Sequence, residues 1–153
     1  MSLQDELKQG RPFDHQSSEA LIAIRRTAAI LEHSIQEVLR PFGVTPTQYN
    51  VLRILRGAGE NGLCGREVGE RLVAQVPDVS RLLARMDDMG LLTRERDEAD
   101  RRHVTARISA KGRRTLTDAQ PALDAEEQRL FQGVSEGTIK SLIVGLDAVR
   151  NRS

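Results

Sequence analysis

Residues 76–112 read "VPDVSRLLARMDDMGLLTRERDEADRRHVTARISAKG", and a helical pattern meets an alternating one within them. The first part has helical spacing. Val79, Leu82, Leu83 and Met86 form one apolar stripe, and Ser80, Arg81, Ala84, Arg85 and Asp88 occupy the other face. Val76-Pro77-Asp78 opens this helix: proline is tolerated at a first helical position, and Asp78 near the start complements the helix dipole. Gly90 provides a C-terminal stop. Beyond it the period changes to two, so residues 91–96 and 103–109 read as strands and residues 97–102 as the tip of a hairpin.

Working upstream, residues 57–65, "GAGENGLCG", read as a loop, followed by a short helix over about residues 66–72 with Val68 and Leu72 inward. Gly69 in its middle costs roughly 1 kcal/mol against alanine, which points to close packing there. Thr45-Pro46 reads as an N-cap with proline at the first position of a helix carrying Tyr49, Val51, Leu52 and Leu55. Before that, Leu21, Ile24, Ala28, Leu31, Ile35 and Val38 recur at alternating steps of three and four, the spacing of a coiled-coil seam. Ser17 or Ser18 caps this helix and Pro41 ends it. The seam fits either a helix buried in its own core or one with a partner helix. Residues 1–14, interrupted by Gly10 and Pro12, read as an arm.

Downstream, Ser109 to Gly112 leads into a long helix with Leu116, Leu123 and Leu130 every seven residues, and Pro121 predicts a kink or break in it. A last helix carries Ile139, Leu142, Ile143, Leu146 and Val149. The fold class is therefore mainly α with a small β-wing: a winged helix-turn-helix plus terminal helices. The chain divides into an N-terminal arm and helix (1–40), a winged lobe (41–112) and C-terminal helices (113–153) within one domain of 153 residues.

Composition removes several function classes. With 39% hydrophobic and 29% charged residues the chain is an ordinary globular protein, and 3% aromatics with no Trp argues against a large aromatic-lined cleft. A net charge of +1 gives no bulk sign of nucleic-acid binding, so such a sign must come from local clustering. One cysteine, Cys64, allows no intrachain disulfide and suits a reducing cytoplasm. The polar N-terminus is not a secretory signal, and no apolar run approaches the roughly 20 residues of a membrane span. No Ser-His-Asp set, P-loop or paired catalytic carboxylates stand in a context that fits an enzyme, and nothing calls for a cofactor or metal.

Two short helices followed at once by a hairpin make a winged helix-turn-helix, whose second helix enters the major groove while the first braces the backbone. Pro77, Asp78, Ser80, Arg81 and Arg85 then belong to the reading helix, where arginine reads guanine or clamps phosphate. The other reading makes the arginines solvated charges paired with Asp78 and Asp88. Arg101, Arg102 and His103 sit at or beside the wing tip, suited to phosphate or a narrow minor groove. Asp97 or Asp100 fits there as an ion-pair brace for one of the arginines; alternatively the turn's charges simply cancel.

The run over residues 76–112 resembles the MarR family of bacterial transcriptional regulators. It carries Gly90-Leu91, the Asp-x-x-Asp-Arg-Arg wing of residues 97–102, and the Ser-x-Lys-Gly of residues 109–112. The likeness extends upstream through "TPTQYNVLRIL" and "REVGERL" and covers about the middle half of the chain. It implies a homodimer formed by intertwined terminal helices, with Leu21, Ile24, Ala28, Leu123, Leu130, Ile139, Leu142 and Leu146 at the interface. It also implies a repressor on a pseudo-palindromic double-stranded operator, released by a small, often phenolic or aromatic, anion bound between the dimerisation helices and the lobe. The residues placed there are Phe13, Arg25, Phe42, Tyr49, Arg53 and Arg113. Some members sense oxidants, but through a cysteine in the first helix; Cys64 near the third helix start is a thiolate candidate or an inert cap. His15, His33 and His103 are dispersed, unlike the clustered ligands of the zinc-sensing branch. The competing class is a dimeric interaction protein that has lost DNA binding.

Overall fold

The computed structural model describes residues 1–151; the last two residues of the segment assigned to the C-terminal helices lie outside the described residues. The chain begins with α1 (Leu3–Glu6), a turn of helix inside the expected arm, closed by a capping box between Ser2 and Asp5. The long α2 (Gln16–Leu39) starts with His15 at the N-cap, ahead of Ser17 and Ser18, and gives way to a 3-10 turn (Arg40–Phe42) that accommodates Pro41. Thr45 caps α3 (Pro46–Ala58) as its sequence requires: its Oγ1 accepts from the Gln48 N–H at 3.2 Å, and Gln48 Oε1 accepts from the Thr45 N–H at 3.0 Å.

Residues 57–65 are not one loop. They hold the end of α3, a 3-10 turn (Gly59–Asn61) and a two-residue strand, β1 (Leu63–Cys64), before α4 (Gly65–Arg71). β1 pairs antiparallel with β3 (Val104–Ile108), which pairs antiparallel with β2 (Leu92–Arg96), so the sheet has three strands in the order β1-β3-β2. Two residues are too few for alternation to show; burial of Leu63 opposite Ala106 is what fixes the strand.

The helix α5 (Val79–Asp88) begins two residues later than its sequence suggests. Asp78 is the N-cap, its Oδ1 accepting from the Arg81 N–H at 2.9 Å, and Pro77 lies outside the helix. Such a carboxylate satisfies one of the orphan donors of the first turn as well as the dipole. The helix α6 (Ala110–Leu130) is continuous through Pro121, without the break that residue allows. Packing on both sides accounts for this: Leu116 and Ala119 before the proline are fully buried, and Leu123 after it packs against the same core. Last comes α7 (Glu136–Arg150).

One core joins the lobe to the long helices. It contains Val51, Leu52 and Leu55 of α3, Met86 of α5, Leu92 of β2 and Leu116 of α6, none more than 1% exposed. Each such side chain stabilises the fold by about 1.5–3 kcal/mol relative to exposure. Two glycines set how closely elements approach. A Cβ at Gly69 would stand 3.2 Å from Val79 Cγ2, so the close packing expected of it is the contact of α4 with α5; one at Gly112 would meet the Leu91 carbonyl oxygen at 2.2 Å.

The coiled-coil seam of α2 divides. Leu31, Ile35 and Val38 are half-buried within their own chain, whereas Leu21 is 57% exposed and Ile24 and Ala28 are also open. On α7 no residue is buried, and Leu142, Ile143, Val144 and Val149 all stand open.

Candidate nucleic-acid interface and adjoining cavity

α5 is anchored by the side predicted to anchor it. Leu83 and Met86 are buried, while Ser80, Arg81 and Arg85 are exposed, as are Pro77 and Asp78 ahead of the helix. The alternative pairing of these arginines with Asp78 and Asp88 is not realised. Asp78 is engaged with the helix backbone, and among the described residues neither Arg81 nor Arg85 forms an ion pair. The helix thus presents to solvent guanidinium groups that no described carboxylate pairs.

The wing tip corrects one expectation. Neither Asp97 nor Asp100 holds an arginine side chain. Asp97 Oδ1 accepts from the Ala99 N–H at 2.8 Å and the Asp100 N–H at 3.4 Å, and Asp100 Oδ1 accepts from the Arg102 N–H at 3.0 Å. Backbone bonds complete the turn: the Asp97 N–H donates to the His103 carbonyl, and the His103 N–H to the Asp100 carbonyl, each at 2.9 Å. The reason is reach. A short carboxylate meets an N–H two or three residues on at little entropic cost, whereas gripping a guanidinium would immobilise a long stem. Arg101, Arg102 and His103 are left exposed, the two arginines without an ion pair among the described residues.

The arginine that is held lies further along the strand. Arg107 Nη1 donates to Glu95 Oε2 at 2.9 Å and Arg107 Nε to the Glu60 carbonyl at 2.7 Å, bracing the wing against the 3-10 turn before β1. The Ser-x-Lys-Gly segment fastens the other end. Ser109 Oγ donates to the Gly90 carbonyl at 2.6 Å and accepts from the Gly112 N–H at 3.0 Å, and Lys111 Nζ donates to the Met89 carbonyl at 2.8 Å. The C-terminal end of α5 and the start of α6 are therefore one joint.

Behind this surface a cavity of about 390 Å³ lies between α2, α3, α6 and the segment joining α4 to α5. Of the residues expected in a pocket, Tyr49 and Arg53 line it. Phe13, Arg25, Phe42 and Arg113 do not: Phe13 precedes α2, Arg25 is exposed on α2 upstream of the lining residue Leu31, Phe42 packs against the core, and Arg113 is exposed in the first turn of α6. Leu123 and Leu130, expected at a dimer interface, also line the cavity. Tyr49 Oη donates to Gln120 Oε1 at 3.1 Å, and Gln120 Nε2 donates to Asp124 Oδ1 at 2.7 Å. Burial pushes the Tyr49 hydroxyl above its ordinary pKa, against the pull of Arg53 and Arg56.

Two further features of the wall carry no sequence signal. Asn50 Oδ1 accepts from the Val73 N–H at 2.9 Å, tying α3 to the α4–α5 segment, and Val73 and Ala74 of that segment line the cavity. Glu126 bonds Arg129 at 2.6 and 2.8 Å and also the Ser34 hydroxyl, so α2 and α6 are clamped there; the arginine first and the serine second hold its pKa down at about 2. Cys64 is half-buried at the N-cap of α4, where its N–H donates to Glu67 Oε2 at 2.9 Å; the charged group beside this thiol is a carboxylate, not a cation. Among the described residues no cluster of three or more His, Cys, Asp or Glu is placed to hold a metal, and no helix is long and apolar enough to cross a membrane.

Comparison with known proteins agrees with this geometry. The MarR family profile matches residues 42–103, from the turn before α3 to the wing tip. The chain is 31% identical over 120 residues to the "Uncharacterized HTH-type transcriptional regulator YkoM" of Bacillus subtilis (strain 168), covering 78% of this chain and 76% of that one. Among solved structures, the organohalide-sensing regulator RdhR-CbdbA1625 in its 2,4-dichlorophenol-bound form superposes with a TM-score of 0.83 at 17% identity, over 95% of this chain and 88% of that one. The transcriptional repressor CouR bound to a 23-mer DNA duplex superposes at 0.76 and 24% identity, over 92% and 99%. The winged fold, the matched wing and the relatives together place the chain in the MarR family of DNA-binding transcriptional regulators.

Proposed function

We propose that this chain is a homodimeric repressor which binds a pseudo-palindromic operator through α5 and the wing and leaves it when a small molecule fills the cavity. The observation that carries the DNA-contact assignment is the division of labour among charges. Asp78, Asp97 and Asp100 are engaged with backbone N–H groups, while Arg81, Arg85, Arg101 and Arg102 are exposed and form no ion pair among the described residues. A face that kept the dimer but had lost DNA binding would have no reason to keep its guanidinium groups unpaired beside so many carboxylates. Pro77, Ser80 and His103 complete the contact surface, Asp78, Asp97 and Asp100 shaping its backbone. That CouR is bound to DNA on the same fold supports the reading.

The dimer reading rests on the open apolar residues of α2 and α7, which belong to segments 1–40 and 113–153 on either side of the DNA-contacting lobe at 41–112. Leu21, Ile24, Ala28, Leu123, Leu130, Ile139, Leu142 and Leu146 form the interface; Leu123, Leu130, Ile139 and Leu146 are only half-buried by their own chain. The effector reading rests on the cavity wall. Its Val73 and Ala74 lie a few residues before α5, so an occupant that displaces them shifts the reading helix relative to its twofold mate. Footprinting on DNA upstream of the chain's own reading frame tests the proposal: two protected half-sites centred about one helical turn apart are expected, and a single protected half-site would exclude the twofold arrangement.

A further inference from the structure

The cavity also carries information about the charge of its occupant, and this inference rests on its being an effector site. Its wall contains four carboxylates, Glu32, Asp124, Glu126 and Glu127, against one guanidinium, Arg53. Glu126 is neutralised by Arg129, with which it forms two hydrogen bonds at 2.6 and 2.8 Å. Glu32, Asp124 and Glu127 have no ion pair among the described residues. Three uncompensated carboxylates then face one cation.

The aromatic residues point the same way. The chain has one Tyr and three Phe, and two of these four, Tyr49 and Phe131, line this cavity. An aromatic face attracts an organic cation and is indifferent or hostile to a carboxylate. Leu31, Ile35 and Leu123 supply apolar wall for a hydrocarbon body. Gln120 donates to Asp124, which orients that carboxylate beside the tyrosine and leaves it a second oxygen for a ligand ammonium.

We propose that this cavity selects a small organic cation with an apolar or aromatic body, an amine or quaternary ammonium, over the aromatic acids that the family resemblance implies. An acid would gain Arg53 on the wall, and Arg56 only at the Coulombic reach at which it acts on Tyr49, and would meet three like charges.

Three probes of one shape separate the terms: 3-phenylpropylammonium, 3-phenylpropan-1-ol and 3-phenylpropanoate, titrated calorimetrically into the full chain. The cation is expected to bind about tenfold tighter than the alcohol and the alcohol tighter than the acid, with the gap narrowing as salt screens it. In the double variant Glu32→Gln, Glu127→Gln, both exposed positions, the cation's advantage should fall several-fold while the alcohol binds as before. If the acid binds as tightly as the cation, the charge inference is overturned and the effector reading of the cavity stands. If none of the three binds, the effector reading itself fails and takes this inference with it. A cation advantage unchanged in the double variant would place the charge recognition elsewhere and also overturn it.

Discussion

Asp97 and Asp100 show how little the charge of a residue says about its work until its partners are known. In a run of acids and bases, an ion pair and a turn bond look alike; the difference lies in reach, and it makes the wing tip a closed backbone loop with its guanidinium groups left over. Asp97→Ala removes the one oxygen that accepts two N–H bonds in that loop, at a cost of about 1 kcal/mol of local stability per bond. Amide exchange at Ala99 and Asp100 should accelerate while the core amides stay protected; unchanged exchange at the tip would show that the turn does not depend on the carboxylate. Glu126 gives the pH counterpart. Its folded pKa is depressed to about 2, so whatever it adds to stability is present above the ordinary carboxylate range and is lost as pH falls toward 2. A carboxyl-carbon NMR titration should place its midpoint near 2, and Arg129→Ala should return it toward the ordinary value. An ordinary midpoint with Arg129 in place would mean that the α2–α6 clamp does not persist in solution.

At the scale of elements, legibility followed length and period. The reading helix and the hairpin were plain because an apolar stripe gives way to alternation at Gly90, and α5 and β2 take up those two patterns. Thr45-Pro46 marked the start of α3 for the local reason that its cap bonds now display. β1 left no trace, since two residues cannot show a period and its partner lies about forty residues on. Pro121 does not break α6, because propensity is local, whereas Leu116, Ala119 and Leu123 secure the helix on both sides. The proposed reading surface could be placed from the sequence because it lies on one helix and one hairpin. The cavity could not, because four separate elements build it; Tyr49 and Arg53 were reachable from their helix, but Gln120, Asn50 and Glu126 enter only through tertiary contact. Gly112 is the element-scale test. Its α-carbon faces the Leu91 carbonyl where α6 leaves the wing, and a Cβ would also stand 2.9 Å from Ile108 Cγ1. Gly112→Ala should destabilise the fold by about 1–3 kcal/mol, read as a lowered urea midpoint; an unchanged midpoint would mean that the joint yields freely.

At the scale of the whole molecule, the core that fills the lobe also holds the long helices. Leu39 of α2 and Leu116 of α6 are fully buried with Leu52 and Met86, so packed atoms connect α2 and α6 to α5 and the wing. The Ser109–Lys111 contacts to Gly90 and Met89 make the same connection through hydrogen bonds. In the proposed dimer this connection would set the distance between two reading helices, and an occupant of the proposed effector cavity would alter it. The claim at the centre is that the unpaired guanidinium groups of α5 and the wing make the DNA contacts. A fluorescence-anisotropy titration of the DNA upstream of the chain's own reading frame, at physiological salt, tests it most directly. Arg81→Ala and Arg102→Ala should each weaken binding by about tenfold or more, on the order of 1–3 kcal/mol, with thermal unfolding unchanged because both side chains are exposed. Binding by both variants as tight as that of the unaltered chain would contradict it.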